Sequence, residues 1–310
     1  MNKKLRINPI LKKDMMVGSR SMKMTWGIMV LNLIFALIVS IMLLDNANTV
    51  SFSSNYYKEL LAVFPVMAVG EAVIMCLVIP IMTSGTISGE RERQTLDIML
   101  TTPIKPMSII TGKLASAIMT MMMYVLSTIP IMAIAFVLGG LDWWVLFAYI
   151  GMMLYLGIYV GSIGIFSSSI KKTSIGATIT SIVIIAAIVI GTFIIYLVGF
   201  WVYDYSKYGS TTNNVDIFNL TTTVLMFNPV VPFFDFMLRS CGAESIYVLG
   251  KYTIATQRMY GYMEFLYKYC IAVSIPLNLI VSYGFMRLAA RRTVVARKRK
   301  RRNKTAMSQR

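Results

Sequence analysis

Four uncharged runs decide most of what this chain can fold into. They cover residues 24–44, 114–141, 143–170 and 173–203, which is 21, 28, 28 and 31 positions without an Asp, Glu, Lys or Arg. A helix needs about 20 apolar residues to cross roughly 30 Å of hydrocarbon. Helices are the expected spanning form, because lipid offers backbone N–H and C=O groups no partner. Two less clean segments have the same character. One runs from about Leu60 to Met82 and contains Glu71; the other runs from about Phe265 to Met286, with Lys268 near its start. The expected fold is therefore all-α, a polytopic membrane protein with six transmembrane helices.

The basic residues predict the orientation. Seven Lys/Arg precede the first span, four lie in 83–113, two at Lys171 and Lys172, and eleven between Arg287 and Arg310; the opposite side holds six. This split of 24 to 6 places both termini in the cytoplasm of a cell membrane, with a bacterial plasma membrane as the expected setting. It also argues against a seventh span at Ile217–Leu238, which would carry the basic tail outside. Asn228, Pro229, Pro232 and Asp235 interrupt that segment. Helices lying in or dipping into the outer leaflet are expected there, as a re-entrant part of an outer segment, 201–263.

The termini follow the same logic. Residues 1–23 mix Ile10, Leu11, Met15 and Met16 with Lys12, Lys13 and Asp14. That spacing suits a cytoplasmic helix lying in the interface. Its basic stretch is too long for a cleaved signal peptide, and no A-x-A site follows the first span. The polybasic tail, 287–310, and the net charge of +17 would suit nucleic acid in isolation. Directly after a span, contact with anionic membrane lipid is favoured, at about 1 kcal/mol per basic residue near the surface. No nucleic-acid partner is expected. The domain division is 1–23, a six-span transmembrane domain at 24–286, and the tail at 287–310.

Between the second and third spans, residues 83–113 carry seven ionised side chains: Glu90, Arg91, Glu92, Arg93, Asp97, Lys105 and Lys113. A chain that is 57% hydrophobic spends such charge on a surface that meets something in water. From Glu90 onward, Leu96, Met99 and Leu100 make one face, and Glu90, Arg93, Gln94 and Asp97 the other. A short amphipathic helix is expected, with Glu90 and Glu92 in its first turn, where carboxylates suit the positive end of the dipole. Pro103 and Pro106 should stop it, and a new helix should start near Ser108.

Most catalytic chemistry is excluded. The chain has no histidine, no GxxxxGK[ST] phosphate loop and no C-x-x-C pair. It should not hydrolyse ATP, bind a structural metal or activate a nucleophile by itself. No cofactor is expected on the chain, and it is not expected to be an enzyme. The one costly side chain is Glu71, about eleven residues into its span. An intramembrane carboxylate is by default a functional candidate, here for the transport pathway. The competing accounts are a hydrated cavity, pairing with a hydroxyl, and a protonated carboxyl.

Smaller features have plain readings. Gly157 and Gly161, with Gly151 and Gly164, give the fourth span a face that another helix can approach closely, within the chain or across a dimer. Pro130 is expected to kink the third span. Cys76, Cys241 and Cys270 form no disulfide framework, although a Cys241–Cys270 bridge is conceivable on the outer side. The 25 methionines are read mainly as lipid-facing substitutes for leucine.

The block Gly89-Glu90-Arg91-Glu92-Arg93-Gln94-Thr95-Leu96-Asp97, followed by Leu100-Thr101-Thr102-Pro103 and Gly112-Lys113, resembles the loop of type 2 ABC exporter permeases. Asn8-Pro9-Ile10-Leu11-Lys12-Lys13-Asp14 is similar to that family's interfacial helix, and Phe227-Asn228-Pro229 looks like its outer Asn-Pro. Gln94 stands where many members carry glycine, and is expected to be tolerated on a helix. The resemblance implies an ATP-driven exporter whose permease copies, identical or paralogous, join cytoplasmic ABC ATPase subunits. ATP would be bound by the partner subunit. Glu90, Arg91, Glu92, Arg93, Thr95, Leu96 and Asp97 would form the ATPase-docking coupling helix. The alternative is an ATP-independent six-span secondary transporter or channel. Its usual several intramembrane charges are missing here.

Overall fold

The computed structural model describes residues 22–48, 55–94, 106–209, 215–242 and 260–308. These residues form eight helices. They are α1 (Met22–Asn48), α2 (Asn55–Glu92), α3 (Pro106–Gly139), α4 (Trp143–Ile170), α5 (Ser174–Gly209), α6 (Val215–Leu225), α7 (Val230–Ser240) and α8 (Tyr260–Ser308). Six of them, α1 to α5 and α8, are long and apolar enough to cross a membrane. The interfacial helix expected at 1–23 lies almost entirely outside the described residues.

α4 is the hub. It packs against α2, α3, α5, α7 and α8, and its Tyr149, Leu156, Tyr159 and Ile163 are fully buried. The glycines explain the fit. A Cβ on Gly157 would meet Ile79 at 3.6 Å, one on Gly161 would meet Leu114 at 2.6 Å, and one on Gly164 would fall 1.9 Å from Thr83 Oγ1. Hydrogen side chains at these three positions let α2 and α3 close onto α4, so the small-residue face serves packing within the chain. Gly151 meets nothing within 4 Å and lies off this seam.

α2 corrects the expected second span. It does not end at Met82 but continues as helix to Glu92. The segment Thr83-Ser84-Gly85-Thr86-Ile87-Ser88 stays helical because its hydroxyls are absorbed locally. Thr83 donates to the Ile79 carbonyl at 2.8 Å, and Ser88 to that of Ser84 at 2.6 Å. The third-span helix likewise starts earlier than expected, with Pro106 as its first residue, where a missing N–H costs nothing. The expected loop at 83–113 is thus helix at both ends.

The segment 217–238 is broken at Asn228-Pro229 as expected, whereas Pro232 and Asp235 do not interrupt it but lie within α7. α6 and α7 have 11 residues each, about 16 Å of helix, and neither can span the membrane. The break falls at 226–229. Asn228 Nδ2 donates to the Val189 carbonyl at 3.2 Å and to Thr192 Oγ1 at 2.9 Å on α5, while its Oδ1 accepts from the Val230 amide at 2.9 Å. Asn228 therefore fastens the break to α5 and serves the first turn of α7 with one side chain.

α8 runs unbroken from Tyr260 to Ser308, so the basic tail continues the last span as helix. All three cysteines are free, and Cys241 and Cys270 do not pair. The methionines divide: Met119 is exposed, whereas Met67, Met75, Met121, Met132, Met152 and Met153 belong to the core. Deformable thioethers fill gaps between helices as well as facing lipid.

Candidate functional site

The charged stretch sits at the end of α2, and each of its first three charges grips a different part of the bundle. Glu90 Oε1 accepts from Lys113 Nζ of α3 at 3.2 Å, and the same ammonium donates to the Thr86 carbonyl at 2.9 Å. Arg91 Nη1 donates to the Lys171 carbonyl at 2.8 Å, just past the end of α4. Glu92 accepts from the Ser174 amide at 3.1 Å and from its hydroxyl at 2.5 Å, at the first residue of α5.

The pattern is electrostatically coherent. The C-terminus of a helix carries partial negative charge and the N-terminus partial positive charge. Arg91 lies against the end of α4 and Glu92 against the start of α5, each meeting the sign it prefers. This revises the expectation for Glu90 and Glu92. They occupy the last turn of α2, not the first turn of a new helix. The carboxylate of Glu92 does meet a helix N-terminus, but it is that of α5.

Just beyond, Arg93 is exposed and Gln94 adopts φ 58°. The Arg93 amide still donates to the Gly89 carbonyl at 3.0 Å and that of Gln94 to the Arg91 carbonyl at 3.2 Å. Gln94 thus stands in the left-handed conformation that commonly ends a helix and that glycine adopts without strain. The expectation that Gln94 replaces a glycine within a helix is corrected, since it occupies the helix-ending position itself. Thr95, Leu96 and Asp97 lie outside the described residues.

Inward from this end, α2 is pinned by hydroxyls. Ser168 Oγ on α4 accepts from the amides of Ile87 and Ser88, both at 2.9 Å, and Ser84 Oγ meets Thr178 Oγ1 of α5 at 2.5 Å. Sequence reasoning passed over Lys113, Ser168 and Ser174 as site residues. Only Gly112-Lys113 left a signal, as part of a motif; the serines are unremarkable until three helices bring them together.

Deeper still, 19 residues back along α2 and so about 28 Å from Glu90, lies Glu71, only 1% exposed. Thr128 Oγ1 of α3 donates to its carboxylate, 3.1 Å from both oxygens, and also reaches the Val125 carbonyl at 2.8 Å. Tyr149 of α4 donates its phenol to Glu71 Oε2. Hydroxyl pairing, one of the accounts open from sequence, is present, and it joins three spans at one carboxylate. Glu71 and the charged end do not touch; α2 is the rod between them.

Six apolar helices long enough to span, a broken pair of short helices and a charge cluster ending the second span make a recognisable combination. A family model described as ABC-2 family transporter protein matches residues 8–237. The chain belongs to this family. No curated protein matches it. As an ABC-2 membrane protein the chain is a permease, a non-catalytic transporter subunit, and membership implies association with an ABC ATPase subunit. The matched region takes in α1 to α6 and most of α7, including Glu71 and the whole 83–113 segment, and stops before α8.

Proposed function

We propose that this permease is the membrane half of an ATP-driven exporter, resident in a cell membrane with both termini in the cytoplasm. In this reading it forms the substrate pathway with a second permease, identical or paralogous. Residues Glu90 to Asp97 form the coupling element that meets a separate cytoplasmic ATPase, and the outer helices α6 and α7 dip into the outer leaflet. The basic tail contacts anionic lipid.

The observation that carries the coupling reading is the grip of Glu90, Arg91 and Glu92 on α3, α4 and α5. Closure of an ATPase against the segment after Arg93 would load α2 end-on, and the three contacts would share that load with the neighbouring spans. The roles then divide within the stretch. Glu90, Arg91 and Glu92 transmit inside the permease, while Arg93 and Asp97 face the partner. Glu71 acts as the joint where α2, α3 and α4 meet, more than as a ligand for cargo.

The test reverses charge at the two partner-facing positions. Arg93→Glu with Asp97→Lys should reduce co-purification of the ATPase and lower its permease-dependent turnover, while the chain still inserts and elutes as a single species. Undiminished co-purification would refute the coupling assignment.

A further inference from the structure

Among α1, α2 and α3 lies a cavity of about 290 Å³. Of its lining, Val30 and Ile34 are 49% and 44% exposed and so mark its mouth, whereas Met75 and Met121, each 4% exposed, belong to its inner wall. On α2 the wall is Glu71, Ile74, Met75 and Val78, the i, i+3, i+4, i+7 face of a helix. All these residues fall within the spans Met24–Leu44, Leu61–Glu92 and Met107–Ile134. The medium outside the mouth is therefore bilayer hydrocarbon.

What fills such a space follows from its walls. A trapped water needs two to four polar partners. Among the described residues the polar side chains lining the cavity are Glu71 and Tyr124, and the Glu71 carboxylate is already engaged by Thr128 and Tyr149. An empty apolar void forfeits the dispersion contacts of its lining. An apolar cavity of about 150 Å³ takes up a benzene ring, so this one, at about 290 Å³, has room for roughly ten carbons of a chain.

We propose that this cavity is a binding site for the acyl chain of a membrane lipid, which enters sideways past Val30 and Ile34. The chain end rests on the same face of α2 as Glu71, one turn from the joint that ties α2 to α3 and α4. Lipid occupancy thus fills the packing beside that joint, and bilayer chain composition bears on the permease through it.

The test uses the full chain with its co-purifying subunits, reconstituted in phosphatidylglycerol–phosphatidylethanolamine vesicles. These carry a trace of phosphatidylcholine bearing a diazirine on its acyl chain. After irradiation, peptide mapping should find label at Met75 and Met121, which lipid merely surrounding the bundle does not reach. Val30→Trp, filling the mouth, should cut that label at least fivefold while leaving label at Leu37 and Leu44, exposed on α1 away from the cavity, unchanged. Ile34→Trp serves as the second mouth variant should Val30→Trp fail to fold. Absence of label at Met75 and Met121 in the unaltered chain, or label indifferent to both mouth variants, would overturn the proposal. So would a Val30→Cys chain that crosslinks to a second copy while Met75 and Met121 stay unlabelled, because the mouth would then be a permease–permease contact.

Discussion

Glu71→Leu removes the acceptor that Thr128 and Tyr149 share, and the two donors are not equally harmed. Thr128 Oγ1 keeps the Val125 carbonyl at 2.8 Å, so it stays satisfied. Tyr149 is fully buried, and Glu71 is its hydrogen-bond acceptor, so its hydroxyl is orphaned. A buried donor left unmade costs about 1–3 kcal/mol, while hydrogen bonds between membrane helices average nearer about 0.6 kcal/mol. A loss of about 1 kcal/mol is therefore expected for Glu71→Leu. Tyr149→Phe should cost a similar amount, since Glu71 keeps only Thr128. The double variant Glu71→Leu/Tyr149→Phe removes orphan and acceptor together and should be no worse than either single change, a coupling of about 1 kcal/mol. Glu71→Gln keeps a carbonyl for Tyr149 and should be almost neutral. The assay is the unfolding midpoint of the purified permease in mixed micelles titrated with dodecyl sulfate. Strictly additive losses would refute the reasoning, because Glu71 would then be serving a group outside this closed set. Cargo export and ATP turnover in the same variants separate joint from ligand: normal export by Glu71→Leu would end any direct role in the pathway.

Three further outcomes are expected. Gln94→Gly should stabilise the end of α2 by about 1 kcal/mol, since a non-glycine residue in the left-handed region costs roughly that much, read as a raised unfolding midpoint. Gly164→Ala should destabilise by about 1–3 kcal/mol through overpacking, because its Cβ would lie 1.9 Å from Thr83 Oγ1; Thr83→Ala in the same chain should restore part of the loss. A cysteine label at position 213 or 245 should react from outside the cell and one at Ser308 only from inside, and outside labelling at Ser308 would reverse the proposed orientation of α8.

The sequence by itself determined the helical class, the number of spans and the break at Asn228-Pro229. These depend on hydrocarbon thickness and backbone hydrogen bonding, which act on each segment whatever its neighbours. It also singled out Glu71 and the charged stretch, because charge is scarce in such a chain and shows against the background. Only the tertiary structure decided what those residues do. The helical continuation through Thr83 to Glu92 depended on burial against α4 and α5, since a serine- and threonine-rich run with two glycines has weak helical preference alone. The left-handed turn at Gln94 could not be read from a glutamine. Glu90 and Glu92 were expected in the first turn of a new helix; that they end α2 instead, and that Glu92 meets the N-terminus of α5, was decided by the approach of α5 to the end of α2, 82 residues apart in the chain. Glu71 likewise needed Thr128 and Tyr149, 57 and 78 residues away, before its hydroxyl partners could be named. Partners so distant in sequence leave no local periodicity, because it is helix packing, set by the glycines of α4, that brings them within reach.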